Sequence, residues 1–108
     1  MKVYSAYRDG RLTIYLQGEL DHHEIKGSIS VIESLLEQYM PKDCILDLRS
    51  LSFMDSSGIA LILRLSRNLT QLGGRAWVEN AAGQPLRVID ASGIDRLVKI
   101  AEGKGEAV

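Results

Sequence analysis

The chain has 108 residues, 45% of them hydrophobic and 25% charged, a balance that predicts one globular domain over residues 1–108 and leaves no room for two. The formal net charge is -1 and the acids and bases are interspersed, which argues against partners that need a basic surface, namely nucleic acid and anionic membranes. Cys44 is the one cysteine, so an internal disulfide is excluded and a reducing compartment is the natural setting.

The opening residues, MKVYSAYRDG, lack the apolar run of a signal peptide, and the longest apolar run, Ile59–Leu63, is far short of a membrane span. A cytoplasmic protein is expected. Val3–Arg8 and Arg11–Gln17 alternate apolar and polar residues around Asp9-Gly10, a turn pair that tolerates positive φ, and so predict a hairpin. Val3, Ala6, Leu12, Ile14 and Leu16 would be its buried side, with Gly18 ending the second strand. A polar loop, Glu19 to His23, leads through a possible N-cap into a helix over Glu24–Tyr39, where Ile25, Ile29, Ile32, Leu36 and Tyr39 recur at helical spacing. Gly27 weakens that helix by about 1 kcal/mol relative to alanine, and Pro41 stops it.

Asp43–Leu48 is short, apolar and bounded, as a buried strand is. Leu51–Met54 reads as a strand end running into a helix over Ser57–Leu72, whose Ile59, Ile62, Leu65, Leu69 and Leu72 oppose Arg64, Arg67, Asn68 and Gln71. Gly73-Gly74 caps it. A strand over Arg75–Glu79, a short helix from Gly83 to about Ala91 with Pro85 in its first turn, and a last strand over Leu97–Ile100 follow. Residues 101–108, rich in glycine and acid, read as a frayed tail. The order predicts a mixed α/β sheet of four to five strands: an antiparallel hairpin joined to parallel strands through right-handed crossovers.

Enzymatic motifs are missing. Neither GxGxxG nor GxxxxGK[ST] occurs. His22 and His23 are adjacent and have no second His or Cys cluster to complete a metal site, so a solvated loop is expected. Cys44 lies within an apolar strand and reads as an inert core thiol. Asp-Ser-Ser-Gly is not the GxSxG elbow of a hydrolase. What remains is Asp55-Ser56-Ser57-Gly58 at a helix start. Asp and Ser there cap free N–H groups, and the same N–H groups and the helix dipole favour an anion. Plain capping and a phosphate-accepting serine both fit these residues.

Two stretches, Gly18-Glu19-Leu20-Asp21-His22-His23 and Leu51-Ser52-Phe53-Met54-Asp55-Ser56-Ser57-Gly58, resemble the signatures of bacterial anti-sigma factor antagonists, the single-domain members of the STAS family, above all the sporulation type. The turns Leu72-Gly73-Gly74 and Asp90-Ala91-Ser92-Gly93 fit the same pattern, and the likeness runs from about Val3 to Ile100. The resemblance implies helices packed mainly on one face of the sheet, no enzymatic activity, and no cofactor of the chain's own. It implies an anti-sigma factor partner that is a serine kinase and supplies ATP and Mg²⁺, and a serine phosphatase that reverses the modification. The phosphoacceptor would be Ser56, or failing that Ser57. Asp21, Asp55, Ser56, Ser57, Gly58, Ile59 and Val88 would lie in or near the docking surface. A monomer is expected when the chain is free. The family's terminal amphipathic helix has no clear counterpart in the glycine-rich end. A STAS scaffold or transporter-associated module without a phospho-switch is the alternative.

Overall fold

The computed structural model describes residues 1–101. Asp9 and Gly10 take φ of 52° and 85°, the geometry that a two-residue turn between twisted antiparallel strands requires. They join β1 (Lys2–Arg8) to β2 (Arg11–Leu20), with Arg8 opposite Arg11 and Lys2 opposite Gln17. Alternation sorts β2, so that Leu12, Ile14 and Leu16 are fully buried while Arg11, Tyr15 and Gln17 are exposed. Ala6, expected inside, is exposed, because it pairs with Thr13 on the other face of the sheet.

The second strand does not end at Gly18. With φ of 111°, Gly18 sits where β2 changes partners. Residues 11–15 pair in parallel with β3 (Asp43–Asp47), and residues 18–20 pair in parallel with β4 (Leu51–Met54). β4 is therefore a strand of its own, and the sheet has six strands where four to five are expected. A register shift opposite Gly18 and Glu19 breaks the alternation of β4, so Leu51 and Met54 are both buried while Ser52 and Phe53 are exposed. That break hides the strand from a period-2 reading. The remaining order is β1-β2-β3-β5-β6, with β5 (Arg75–Glu79) and the two-residue β6 (Lys99–Ile100) both parallel to their neighbours.

α1 (Ile25–Tyr39) buries Ile32 and Leu36, and Ile25, Ile29 and Tyr39 border the core. It closes at Met40, whose left-handed conformation returns its N–H to the Leu36 carbonyl at 2.8 Å just before Pro41. α2 (Ser56–Gln71) buries Leu61, Ile62, Leu65 and Leu69. Leu72, expected on that apolar side, is its C-cap and is exposed. α3 (Gly83–Ser92) buries Pro85 and Ile89 and ends at Gly93 with φ of 75°. A single 3-10 turn (Ile94–Arg96) follows and delays the last strand to Lys99. α1 and α2 cover the sheet face that presents Leu12, Ile14, Cys44, Leu46 and Val78. Among the described residues the opposite face, with Tyr4, Tyr15 and Trp77, carries no helix. The expected frayed tail lies, from residue 102 on, outside the described residues.

Two glycines should respond to alanine with opposite signs. A Cβ on Gly74 would overlap the Lys42 carbonyl oxygen, where β5 enters against β3, so Gly74→Ala is expected to cost about 1–3 kcal/mol. Gly27 is helical and exposed, with nothing near its added Cβ, so Gly27→Ala is expected to gain about 0.5–1 kcal/mol. Urea denaturation of the two variants checks the signs.

Candidate functional site

Because β2 and β4 run parallel, their C-terminal ends deliver two loops to one edge of the sheet. The Asp55 N–H donates to the Leu20 carbonyl at 3.2 Å, which docks the start of α2 on the end of β2. Asp55 Oδ1 accepts the Ser57 N–H at 2.8 Å as the N-cap of α2, and Oδ2 accepts the His22 N–H at 3.2 Å. His22 Nδ1 stands 3.7 Å from that second oxygen. One carboxylate thus ties the two signature stretches together. The Ser57 N–H, above all, holds the Asp55 carboxyl below its ordinary range. The Ser57 hydroxyl and the His22 N–H and charge act in the same direction, and desolvation opposes them.

Asp21 organises the other loop. Its Oδ1 accepts the N–H groups of His23 and Glu24 at 2.9 and 3.1 Å, and its carbonyl accepts those of Glu24 and Ile25 at 3.0 and 3.1 Å. The side-chain cap expected at the end of the loop is not made: Glu24 stands at the N-cap of α1 without one, and Asp21 instead orders the turn before it. Asp21 remains half-buried, with His22, His23 and Glu24 exposed beside it. The two imidazoles lie 3.9 Å apart, and among the described residues no group of three or more potential ligands forms. Cys44 is fully buried and desolvation pushes its thiol up to about 12, so it stays protonated.

Ser56 is the first residue of α2 and is exposed. Ser57 is half-buried and engaged with Asp55. Gly58, expected to meet a partner, is buried instead. A Cβ there would stand 2.8 Å from Met54 Sδ, so the missing side chain seats α2 on β4 and offers a partner little surface. Ile59 and Val88 are half-buried at the margin of the core.

Two residues of this region escape the sequence reading. Phe53 is 37% exposed, three positions before Ser56, because of the shift in β4. Gln84 uses its side-chain amide like a strand edge: Oε1 accepts the Met54 N–H at 2.9 Å and Nε2 donates to the Met54 carbonyl at 3.0 Å. A glutamine beside a proline at a helix start gives no local sign of that distant contact.

The STAS domain family pattern matches residues 4–107. The chain belongs to the STAS domain family. It is 28% identical over 108 residues to an anti-sigma F factor antagonist of Paenibacillus polymyxa, covering 100% of this chain and 92% of that one. It is 36% identical over 83 residues to the anti-sigma F factor antagonist of Lysinibacillus sphaericus, covering 77% and 71%. Among solved structures, the anti-sigma factor antagonist SpoIIAA in its unphosphorylated form superposes with a TM-score of 0.80 at 28% identity, over 96% of this chain and 90% of that one. SpoIIAA of Bacillus in its phosphorylated form superposes with a TM-score of 0.71 at 28% identity, over 96% and 93%. The mixed sheet with helices on one face is the fold that this STAS domain shares with them. No helix of the described residues is long and apolar enough to cross a membrane.

The depressed Asp55 carboxyl makes a pH signature. A carboxyl that titrates below its ordinary 3.8 in the folded chain stabilises the fold above that pH and loses the contribution as pH falls through the folded value. Asn at this position keeps an accepting oxygen and loses the charge. The stability gap between the parent and Asp55→Asn is expected to be level above roughly pH 5 and to close toward lower pH, as read from chemical denaturation across that range.

Proposed function

We propose that this chain is an anti-sigma factor antagonist, that it binds an anti-sigma factor which is also a serine kinase, and that phosphorylation of Ser56 ends the binding. The observation that carries this reading is the contrast between the two serines. Ser56 is exposed at the first turn of a capped helix, and its hydroxyl has no hydrogen-bond partner among the described residues. Ser57 is half-buried, with its backbone N–H given to the Asp55 cap and its hydroxyl turned to the same carboxylate. The relatives named as anti-sigma F factor antagonists support the class of partner, and the phosphorylated form of SpoIIAA shows that the shared fold accommodates such a group in that protein.

The physics is local. A phosphate adds about -1.5 to -2 charges at neutral pH, and the N-terminal N–H groups of α2 tolerate that charge, so the fold survives. Asp55 beside the acceptor, and Asp21 in the loop that Asp55 fastens, are acids already, so the modified patch becomes strongly negative. A partner carboxylate about 6 Å away would feel roughly 4 kcal/mol of repulsion at an effective dielectric near 20. A hundredfold loss of affinity needs only about 2.7 kcal/mol. Steric bulk on an exposed first turn adds to this. The half-exposed apolar residues Phe53, Ile59 and Val88 supply the contact area around the charge. The chain contributes an acceptor and a docking face, while the kinase brings ATP and Mg²⁺ and a separate phosphatase resets the switch. No enzymatic step belongs to the chain itself.

Incubation with the anti-sigma factor kinase of the same host and ATP is expected to place one phosphate, which mass spectrometry maps to Ser56. Ser56→Ala should bind that kinase like the parent, and Ser56→Asp should bind about a hundredfold more weakly by calorimetry. Equal affinity of the two variants would refute the switch. In that case the chain is a STAS scaffold without one.

A further inference from the structure

The end of the sheet remote from Ser56 holds a second cluster that the switch does not use. Arg11, Asp43 and Arg75 are the first residues of β2, β3 and β5 and stand in register across the three parallel strands. Side chains alternate along each strand, so these three share the helix-free face with Trp77, and Trp77 pairs with Lys99 of β6. Arg75 is set there by its N–H, which donates to the Lys42 carbonyl at 2.9 Å.

Trp77 is the only tryptophan of the chain. Three cations surround its ring: the guanidinium carbons of Arg11 and Arg75 lie 5.3 and 5.9 Å from the centroid, and Lys99 Nζ lies 5.8 Å away. The indole N–H donates to Glu79 Oε2 at 2.8 Å, which fixes the ring. One carboxylate answers both guanidinium groups, Asp43 being 3.0 Å from Arg11 and 3.8 Å from Arg75. A cleft of about 490 Å³ reaches from this face round to α2, lined by the three cations, the Trp77 ring and Ser66 and Thr70 of α2, and among the described residues no acid lines it.

A single cation on the indole face would satisfy a structural role. Three within 6 Å of one centroid are met by two carboxylates, Asp43 and Glu79, which leaves a surplus of positive charge that an anion relieves. Two guanidinium forks, an ammonium and the Ser66 hydroxyl offer more donors than a carboxylate can accept, the Thr70 hydroxyl being given to the Ser66 carbonyl at 2.9 Å, and they suit the several oxygens of phosphate. The volume lies in the usual range for small-ligand sites, about 300–1,000 Å³, and exceeds what a lone phosphate fills. We propose that this cleft binds a small phosphate-bearing ligand, with Arg11, Arg75 and Lys99 holding its phosphate oxygens beside Trp77. The site lies at the opposite end of β2 from Asp21, about 30 Å away at the rise of a strand, so it is independent of the Ser56 switch.

Trp77 reports on its own site. The full chain is titrated with pyrophosphate at constant ionic strength while tryptophan emission is followed, with Arg75→Gln and Lys99→Gln as variants and circular dichroism confirming that both fold. A saturable change in emission is expected, about tenfold weaker in each variant and unaltered in Ser56→Ala. Vesicles of phosphatidylglycerol, compared with phosphatidylcholine, distinguish the source of the phosphate. No response to the vesicles assigns a soluble ligand, and a Lys99-dependent response alongside that to pyrophosphate assigns a lipid headgroup. The proposal is overturned if pyrophosphate gives no saturable change, if both variants bind it like the parent, or if only the vesicles act.

Discussion

The Asp55 carboxylate is the joint on which the site depends. One oxygen caps α2 and the other holds the backbone of the His22 loop, so the helix that presents Ser56 and the loop that carries Asp21 are fastened to one another. Charge-assisted hydrogen bonds to backbone N–H groups are stronger than neutral ones, and they keep Asp55 ionised well into the acid range. In the proposed switch, a modification at Ser56 acts on an acidic patch that the hydrogen bonds of Asp55 have already built. No rearrangement of the fold is needed for a charge added there to be felt by a partner.

That joint exists because one strand serves two partners. β2 gives its first half to β3 and its last three residues to β4, with Gly18 at the change. The parallel pairing brings Leu20 beside Met54, and the chain then turns into α2 with Gly58 packed on Met54. Gln84 closes the free side of Met54 through both amide groups, which adds α3 to the same unit. Three elements, β2, β4 and α3, thus meet at the strand end that leads into α2.

The same parallel arrangement gives the molecule two electrically distinct ends. The strands begin at Arg11, Asp43 and Arg75 and finish toward Glu19, Asp47 and Glu79. The surplus of cations stands around Trp77, and Asp21 and Asp55 stand at the edge with Ser56. A chain nearly neutral in total can in this way present one sign of charge to one partner and the opposite sign to another ligand.

Much of this protein was legible in its residues. Asp9-Gly10 announced the hairpin, the 3.6-residue spacing of Ile32, Leu36, Ile62, Leu65 and Leu69 announced the two large helices, and Asp55-Ser56 announced a capped helix start, because each of these signals is local. The two signature stretches named the family and made Ser56 the candidate acceptor, with Ser57 behind it. Tertiary structure alone decided the rest. β4 owes its existence to pairing with a strand more than thirty residues away and to a register shift that erases its alternation. The bridge from Asp55 to His22, the clasp of Gln84 on Met54 and the ring of cations about Trp77 join residues distant in the chain. No local pattern encodes such contacts, since they come from where parallel strands end and which faces they share.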